Sequence, residues 1–414
     1  MKVGIINVTG YAGSELARLL WHHPEVDLVS VTGRSAAGQR LPEVMPHLWE
    51  IDLEITETVD VPVDLVFSAL PSGASAEALA PLVEGGTKAI DIAADFRLHD
   101  ADNFKRAYKI DHPAPHLLNQ AVYGLPEIHR EAIKTSNLVA NPGCFPEASI
   151  LAMAPAVRAG IVGDDVIVSA LTGISGAGRG GLATNIMDHF AEANENALAY
   201  GLDGHGHQPE IAQELAELRE APSARVTFIP HRIPMTRGIF ATCYAPLIDE
   251  TTNKQTVRDL YKEFYKDHPF VRVTDVPPHS KQTTGSNMCL VYPMVDEQAG
   301  RLVVVSCIDN LVKGAAGQAM QNSLVVVVDG MSQALEVSNF YAPEHLILCF
   351  EGADKYVEAV HNAGSIFVGP WTTESAGDYC SGTNHVLPTY GYARCYSGLS
   401  VEAFQKTITV QALT

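Results

Sequence analysis

Short apolar runs alternate with amphipathic stretches through the first third of the chain. Lys2 to Val8 has the pattern of a buried strand, and Thr9-Gly10-Tyr11-Ala12-Gly13-Ser14-Glu15-Leu16 turns it into a helix running to about His22. Further buried-strand runs follow at Val26 to Val31, Asp64 to Leu70 and Ala89 to Ala93, with a helical stretch at Ala74 to Val83 between two of them. Ser136 to Ala140 reads as the end of a short strand, and Ala148 to Val157 is small and apolar at helical spacing. Strands alternating with helices in this way predict a parallel, doubly wound sheet. From about Gly163 the pattern changes. Strand-like runs at Val166 to Ala170, Ile239 to Pro246, Met288 to Pro293 and Arg301 to Ile308 predict an α+β domain with an antiparallel sheet, and Lys313 to Ala319 opens a helix.

Composition narrows the class. The 414 residues are 46% hydrophobic and 18% charged, which suits a globular protein of two or three domains. A formal net charge of -20 argues against nucleic acid or an anionic membrane surface as partner, so an anionic substrate needs a local basic pocket. No run approaches the roughly 18 apolar residues that span a membrane. Met1 to Ile6 enters a strand without a signal-peptide layout. Seven cysteines without CxxC spacing fit a reducing cytoplasm.

The candidate chemistry centres on Asn141-Pro142-Gly143-Cys144-Phe145-Pro146. Strand, turn, cysteine and helix place a thiol where a helix N-terminus lowers its pKa and makes it nucleophilic. A buried structural cysteine is the even alternative. The turn Asn7-x-x-Gly10-x-x-Gly13 suits a pyrophosphate at a helix N-terminus, with asparagine, which tolerates positive φ, where a first glycine would stand. The second strand ends in Thr32-Gly33-Arg34-Ser35, and Arg with Ser there suits the 2′-phosphate of NADP rather than the 2′-hydroxyl of NAD. Gly173 to Arg179 is either a phosphate nest or a connector. His205 and His207, read as neighbours on one strand face, are metal ligands in one reading; general acid/base is the better one. Arg179, Arg232 and Arg237 are the cations available to clamp an anion.

Thr9-Gly10-Tyr11-x-Gly13-x-Glu15-Leu16, Asn141-Pro142-Gly143-Cys144, Ser175-Gly176-Ala177-Gly178-Arg179, His207-x-Pro209-Glu210-Ile211, Pro230-His231-x-x-Pro234-Met235-x-Arg237-Gly238 and Lys313-Gly314-Ala315-Ala316-Gly317-Gln318-Ala319 occur in that order. The set closely resembles N-acetyl-γ-glutamyl-phosphate reductase of arginine biosynthesis. The resemblance implies a Rossmann-type NADP-binding domain over 1–143, with a helix at 313–322 returning to it. It also implies an α+β catalytic and dimerisation domain over 144–312, related to aspartate-semialdehyde dehydrogenase, in a dimer or tetramer. Cys144 is then the nucleophile and His207 the acid/base, with His205 as an alternate. Thr9, Gly10, Tyr11, Ala12, Gly13, Arg34, Ser35, Ser72, Gly176 and Gln318 hold NADP, and Ser175, Arg179 and Arg237 hold the substrate. Three residues depart from the family: Asn7, Phe145 in place of tyrosine and Glu147 in place of threonine. The last is a charge of the sign that raises the thiol pKa.

Near Asn322 that resemblance stops, and Ser323 to Val328 reads as a β-branched strand. Residues 323–414 instead resemble part of histidinol dehydrogenase, through Asn339 to Leu346, Asn362 to Pro370, Gly377 to Thr389 and Tyr396 to Gly398. By that resemblance Glu344 and His345 match an acid/base pair, Asp378 a zinc ligand and His385 a substrate contact. One carboxylate does not make a zinc site, so no metal and no separate dehydrogenase activity are expected of this partial α/β segment. Residues 313–322 still supply the start of the returning helix, but a foreign strand replaces what should dock next, a loss expected to threaten the nucleotide domain.

Overall fold

The computed structural model of the chain describes residues 1–23, 25–249, 252–323, 345–348, 352–363 and 365–368, with Leu335, Ser338 and Asn339. Residues 1–21 and 26–325 form one unit, and 326–414 with 22–25 a second.

In the first unit, seven strands pair in parallel: β1 (Lys2–Ile6), β2 (Asp27–Thr32), β3 (Ile55–Thr56), β4 (Leu65–Ser68), β5 (Lys88–Asp91), β6 (Ala121–Tyr123) and β7 (Leu138–Ala140). Their order, β3-β2-β1-β4-β5-β7-β6, reverses direction between β1 and β4. At such a reversal the crevice beyond the strand C-termini is open to a ligand. The intervening helices are α1 (Tyr11–Trp21), α2 (Leu41–Val44), α3 (Ala74–Glu84), α4 (Ala101–Tyr108) and α5 (Pro126–Thr135). Strands such as Leu65-Val66-Phe67 are apolar on both faces because separate cores, around Leu16 and around Leu79, cover the two sides.

The turn after β1 depends on Asn7. It adopts φ 67°, as the sequence predicts for an asparagine in a glycine's place, and its amide donates to the Ala69 carbonyl at 2.8 Å. A Cβ at Gly13 would collide with the Asn7 carbonyl oxygen, so α1 reaches this turn only through glycine.

The second sheet has the order β12-β13-β14-β11-β8-β10-β9. Its strands are β8 (Asp165–Thr172), β9 (Leu198–Ala199), β10 (Arg225–Arg232), β11 (Ile239–Pro246), β12 (Val271–Val273), β13 (Cys289–Asp296) and β14 (Arg301–Ile308). The sheet is mixed and not antiparallel as expected: β8 with β10 and β12 with β13 run parallel. Parallel pairing needs a crossover, and the long segment from β8 to β10 supplies one. Burial alternates along β8 and β11, so one sheet face is core and the other half-exposed. The core face packs α6 (Cys144–Arg158), which is buried from Phe145 to Val157, as a helix apolar on nearly every side is, with Glu147 facing Lys313 and Ser149 bonded to the Phe145 carbonyl. The remaining helices are α7 (Gly178–Thr184), α8 (Phe190–Ala193), α9 (His207–Leu218) and α10 (Lys254–Tyr265).

A π-helical turn at Val312–Ala316 leads to α11 (Gly317–Ser323). This segment is docked by buried polar contacts, while the run after Ser323, where the joint is expected to weaken the fold, lies outside the described residues. Lys313 is fully buried, and its Nζ lies 2.9 Å from Glu127 Oε1, 3.3 Å from Glu147 Oε1 and 2.6 Å from Gln318 Oε1. Gln318 donates to the Gly124 carbonyl at 2.9 Å and Asn322 to Asn141 Oδ1 at 3.0 Å. Against burial, which raises it, the Lys313 ammonium holds Glu127 below the ordinary carboxylate range, while burial pushes Glu147 up to about 8.

In the second unit β15 (His345–Leu348) pairs in parallel with β16 (Ser365–Val368). Asn339 ties their connection by accepting from the His361 amide at 2.6 Å and donating to the Ala359 carbonyl at 2.7 Å. Glu344, Asp378, His385, the His345 side chain and the run 324–328 lie outside the described residues, while Ser323 closes α11.

Removing one partner of a buried ion pair strands the other charge. Lys313→Met is therefore expected to cost about 3–5 kcal/mol, read as a lower urea midpoint. Adding Glu127→Gln and Glu147→Gln should recover part of the loss, and an unchanged loss would refute charge compensation as the cause.

Candidate active site

Cys144 is the first residue of α6, directly after the turn that leaves β7. Three elements meet at that turn. Glu210, on the first turn of α9, accepts from the Gly143 amide at 2.8 Å and from the Tyr123 hydroxyl at 2.7 Å. Arg97, in the segment after β5, lies 3.4 Å from Glu210 Oε2 and 3.5 Å from His207 Nε2, and donates to the Asn141 and Ile92 carbonyls at 2.8 and 2.7 Å. A Cβ on Gly143 would stand 2.7 Å from both Arg97 Nη1 and His207 Nε2, so glycine is needed for the imidazole to reach the cysteine turn.

His207 opens α9 and His205 sits in the turn before it, so the two are not neighbours on a strand as the sequence spacing suggests. His205 Nδ1 accepts the His207 amide at 3.1 Å, and its ring packs against Phe145, Tyr200 and Phe228. Burial, with Arg232 nearby, lowers His205 to about 4. Burial, His205 and Arg97 hold His207 well below the ordinary imidazole range, leaving it neutral.

The thiol departs from the expected lowered pKa. Burial pushes Cys144 up to about 11; the Arg97 guanidinium and the Phe145 amide pull it down, and Glu210 and Glu147 push it up. The Glu147 effect has the sign expected from sequence but is the smallest of these. In the resting site both the thiol and the imidazole are neutral, because desolvation outweighs the helix terminus.

A cavity of about 490 Å³ is lined by Cys144, His207 and Arg97 on one side and by Gly10, Tyr11 and Ala12 on another. Ser175, Gly176 and Arg179 complete it, and Arg179 donates to the Thr9 carbonyl at 3.1 Å across the glycine turn. Asn310 fixes Ser175 by donating to its hydroxyl at 3.1 Å. A second cavity of about 610 Å³ shares Asn7, Leu70 and Pro71 with the first and extends to Arg34 and Ser35. Ser72 is exposed next to Pro71.

Other expected site residues are differently placed. Arg237 pairs with Asp309 at 3.2 Å and with Glu15 at 3.4 Å, a bridge from the second sheet to α1. Arg232 pairs with Asp188 at 2.5 Å and covers the Tyr200 ring. Gln318, expected at the cofactor, lines neither cavity; its amide is consumed by Lys313 and Gly124 inside the docked α11 segment. Sequence reasoning assigned no site role to Arg97, Glu210, Tyr123 or Asn310, although Glu210 stands in one motif with His207. Arg97 had a usable cue, since it follows a strand at the ligand-bearing edge of the sheet.

Residues 2–136 match the family model for the semialdehyde dehydrogenase NAD binding domain, and 144–310 that for the semialdehyde dehydrogenase dimerisation domain. Residues 303–414 match the model for histidinol dehydrogenase. A solved aspartate semialdehyde dehydrogenase II from Vibrio cholerae superposes with TM-score 0.61 at 19% identity, over 80% of this chain and 99% of that one. An aspartate semialdehyde dehydrogenase with NADP from Candida albicans gives 0.58 at 16% identity, over 82% and 99%. Those two likenesses are of fold. Curated N-acetyl-gamma-glutamyl-phosphate reductases are nearer in sequence. The one from Dehalococcoides mccartyi is 50% identical over 332 residues, 80% of this chain and 96% of its own length. The one from Symbiobacterium thermophilum is 48% identical over 331 residues, 78% and 93% of the two lengths. The cysteine at its helix terminus and the glycine turn facing it thus sit in a chain that belongs to the N-acetyl-gamma-glutamyl-phosphate reductase family.

Proposed function

We propose that the chain reduces N-acetyl-γ-glutamyl phosphate to N-acetylglutamate 5-semialdehyde and phosphate with NADPH, the arginine-biosynthetic reaction, in the cytoplasm. The observation that carries this reading is Cys144 at the head of a buried helix, in one cavity with a dinucleotide-type glycine turn. In this reading residues 1–143 with the helix at 313–322 serve the nucleotide and 144–312 the chemistry, while 323–414 add no activity of their own.

The residues present fit the dinucleotide. The left-handed Asn7, the Cβ-free approach at Gly13 and two cavities joined at Asn7, Leu70 and Pro71 form a cradle running from Arg34 to Cys144. Thr9 to Gly13, Ser72 and Gly176 would hold the pyrophosphate and nicotinamide part, and Arg34 and Ser35 the 2′-phosphate. When bound, NADPH supplies a hydride to an acyl carbon.

The chain's own groups do the rest. The Cys144 sulfur attacks the acyl-phosphate carbonyl, its proton passing to His207; the carbon–oxygen bond to phosphate breaks, leaving a thioester on the enzyme. His207, neutral at rest, is free to take a proton and return it when the sulfur–carbon bond breaks. Arg97 sets the electrostatics of that exchange, because it lowers the thiol and the imidazole together. Arg179 and Ser175 are the groups nearest to hand for phosphate or carboxylate, while Arg237, bound to Asp309 and Glu15, acts on the substrate only by leaving them.

The half-exposed face of the second sheet carries Ile167, Leu171, Phe240, Tyr244, Tyr292 and Val305. Contiguous apolar surface of this kind fits a second copy of the chain, as the dimerisation name of the matched domain suggests.

Cys144→Ser should lower NADP reduction with N-acetylglutamate semialdehyde and phosphate by at least about three orders of magnitude; retained activity would sink the thioester route. In the wild type, a thiol held near 11 predicts that iodoacetamide labels Cys144 about tenfold faster per pH unit through the neutral range, because the thiolate fraction rises at that rate. A rate flat with pH would mean a thiolate already formed. Arg34→Asp is expected to raise KM for NADPH about tenfold or more while sparing NADH; equal effects on both would remove Arg34 from the 2′-phosphate. Phe240→Asp with Tyr244→Asp should shift the sedimentation coefficient to that of a monomer, and an unchanged oligomer would place the interface elsewhere.

A further inference from the structure

Helix α9 carries more polar side chains than the cysteine turn uses. Glu210, Glu214 and Glu217 follow one another on one side of it, at helical spacing. Only Glu210 bonds to the turn before Cys144. Glu214 is buried, its side chain 1% exposed, and meets His129 Nε2 on α5 at 2.8 Å. Glu217, 43% exposed, meets His99 Nδ1 at 3.1 Å. The donor atoms of His99, Glu214 and Glu217 all lie within 4.8 Å of one another. Among the described residues the ion pairs of Glu214 and Glu217 run to these imidazoles and not to a lysine or arginine.

We propose that His99, Glu214 and Glu217 form a binding site for a divalent transition metal of the zinc type, with His129 holding Glu214 from behind at 2.8 Å. One imidazole nitrogen and two carboxylates, with a fourth position left to water, are a donor set that zinc accepts and that magnesium and calcium, which favour all-oxygen ligands, do not. Bonds of about 2.0–2.1 Å in a tetrahedron put neighbouring ligand atoms about 3.3 Å apart, so the three donor atoms, already within 4.8 Å of one another, must draw together by no more than about 1.5 Å. Supporting hydrogen bonds are already in place. Gln213 accepts from the His99 amide at 3.1 Å and donates to Glu214 Oε1 at 3.1 Å, orienting two ligands. The same Gln213 amide donates to the Arg97 carbonyl at 3.0 Å. An ion here therefore clamps the segment that carries Arg97 to the helix that carries His207 and Glu210.

The test uses the full chain, stripped with a chelator and titrated with zinc chloride by calorimetry, with cobalt(II) as a spectroscopic substitute. The comparison variants are Cys144→Ser and the double surface variant His99→Asn/Glu217→Gln, whose exposed positions leave folding intact, checked by an unchanged metal-free Tm. The expected result is that wild type and Cys144→Ser share a zinc site which excess magnesium does not displace. The double variant should weaken that site by at least about tenfold and remove the tetrahedral cobalt absorption of one equivalent. A zinc isotherm identical in wild type and double variant would overturn the proposal by placing the metal elsewhere, at the histidines near Cys144 or in the C-terminal segment. No zinc binding in the wild type would overturn it too, leaving His99–Glu217 and His129–Glu214 as ordinary pairs.

Discussion

The site depends on one buried carboxylate. Glu210 accepts hydrogen bonds from the Gly143 amide and the Tyr123 hydroxyl and faces the Arg97 guanidinium, so a single side chain joins the cysteine turn, the first sheet and α9. Each partner answers a different requirement. Arg97 balances the charge, the Gly143 amide is one of the orphan donors at a helix N-terminus, and Tyr123 anchors the sheet edge. The position of Cys144 relative to His207 follows from this junction, which ties the turn before the one to the helix that carries the other.

The resting electrostatics are those of a dry site. Cys144 is held protonated, His207 neutral and Glu210 above the ordinary carboxylate range, all with burial as the leading cause. A site of this kind protects its thiol from reagents until the cavity fills, and it places the work of activation on what arrives. The positive end of α6 and the Arg97 charge set a bias; they do not by themselves make a thiolate.

Much of this was legible in sequence. Strand limits at Ile239–Pro246 and Arg301–Ile308 agree with the apolar runs, because both are central strands whose mostly apolar residues run unbroken between turns. The positive φ of Asn7 followed from the glycine spacing around it. What failed has a common cause. The parallel pairing of β8 with β10, the setting of His205 and His207 at the start of a helix rather than on a strand, and the sealing of Gln318 are all decided by residues far along the chain. Arg97 was missed for the same reason, since its partners Asn141, His207 and Glu210 lie on other elements. Local pattern reports propensity and period, and long-range charge compensation leaves no period to read.

The docking of α11 sets an order of events during synthesis. Lys313 meets Glu127 across 186 residues, and Gln318 meets Gly124 across 194. The parallel sheet can pair early, yet its edge around Gly124 and Asn141 keeps unpaired polar groups until a segment made much later arrives. For that interval Glu127 and Glu147 have no ammonium beside them and must stay solvated, so α5 and α6 cannot reach their final burial. The nascent chain is then most exposed to misassembly while the second sheet is being made, and the arrival of Lys313 is the step that commits it.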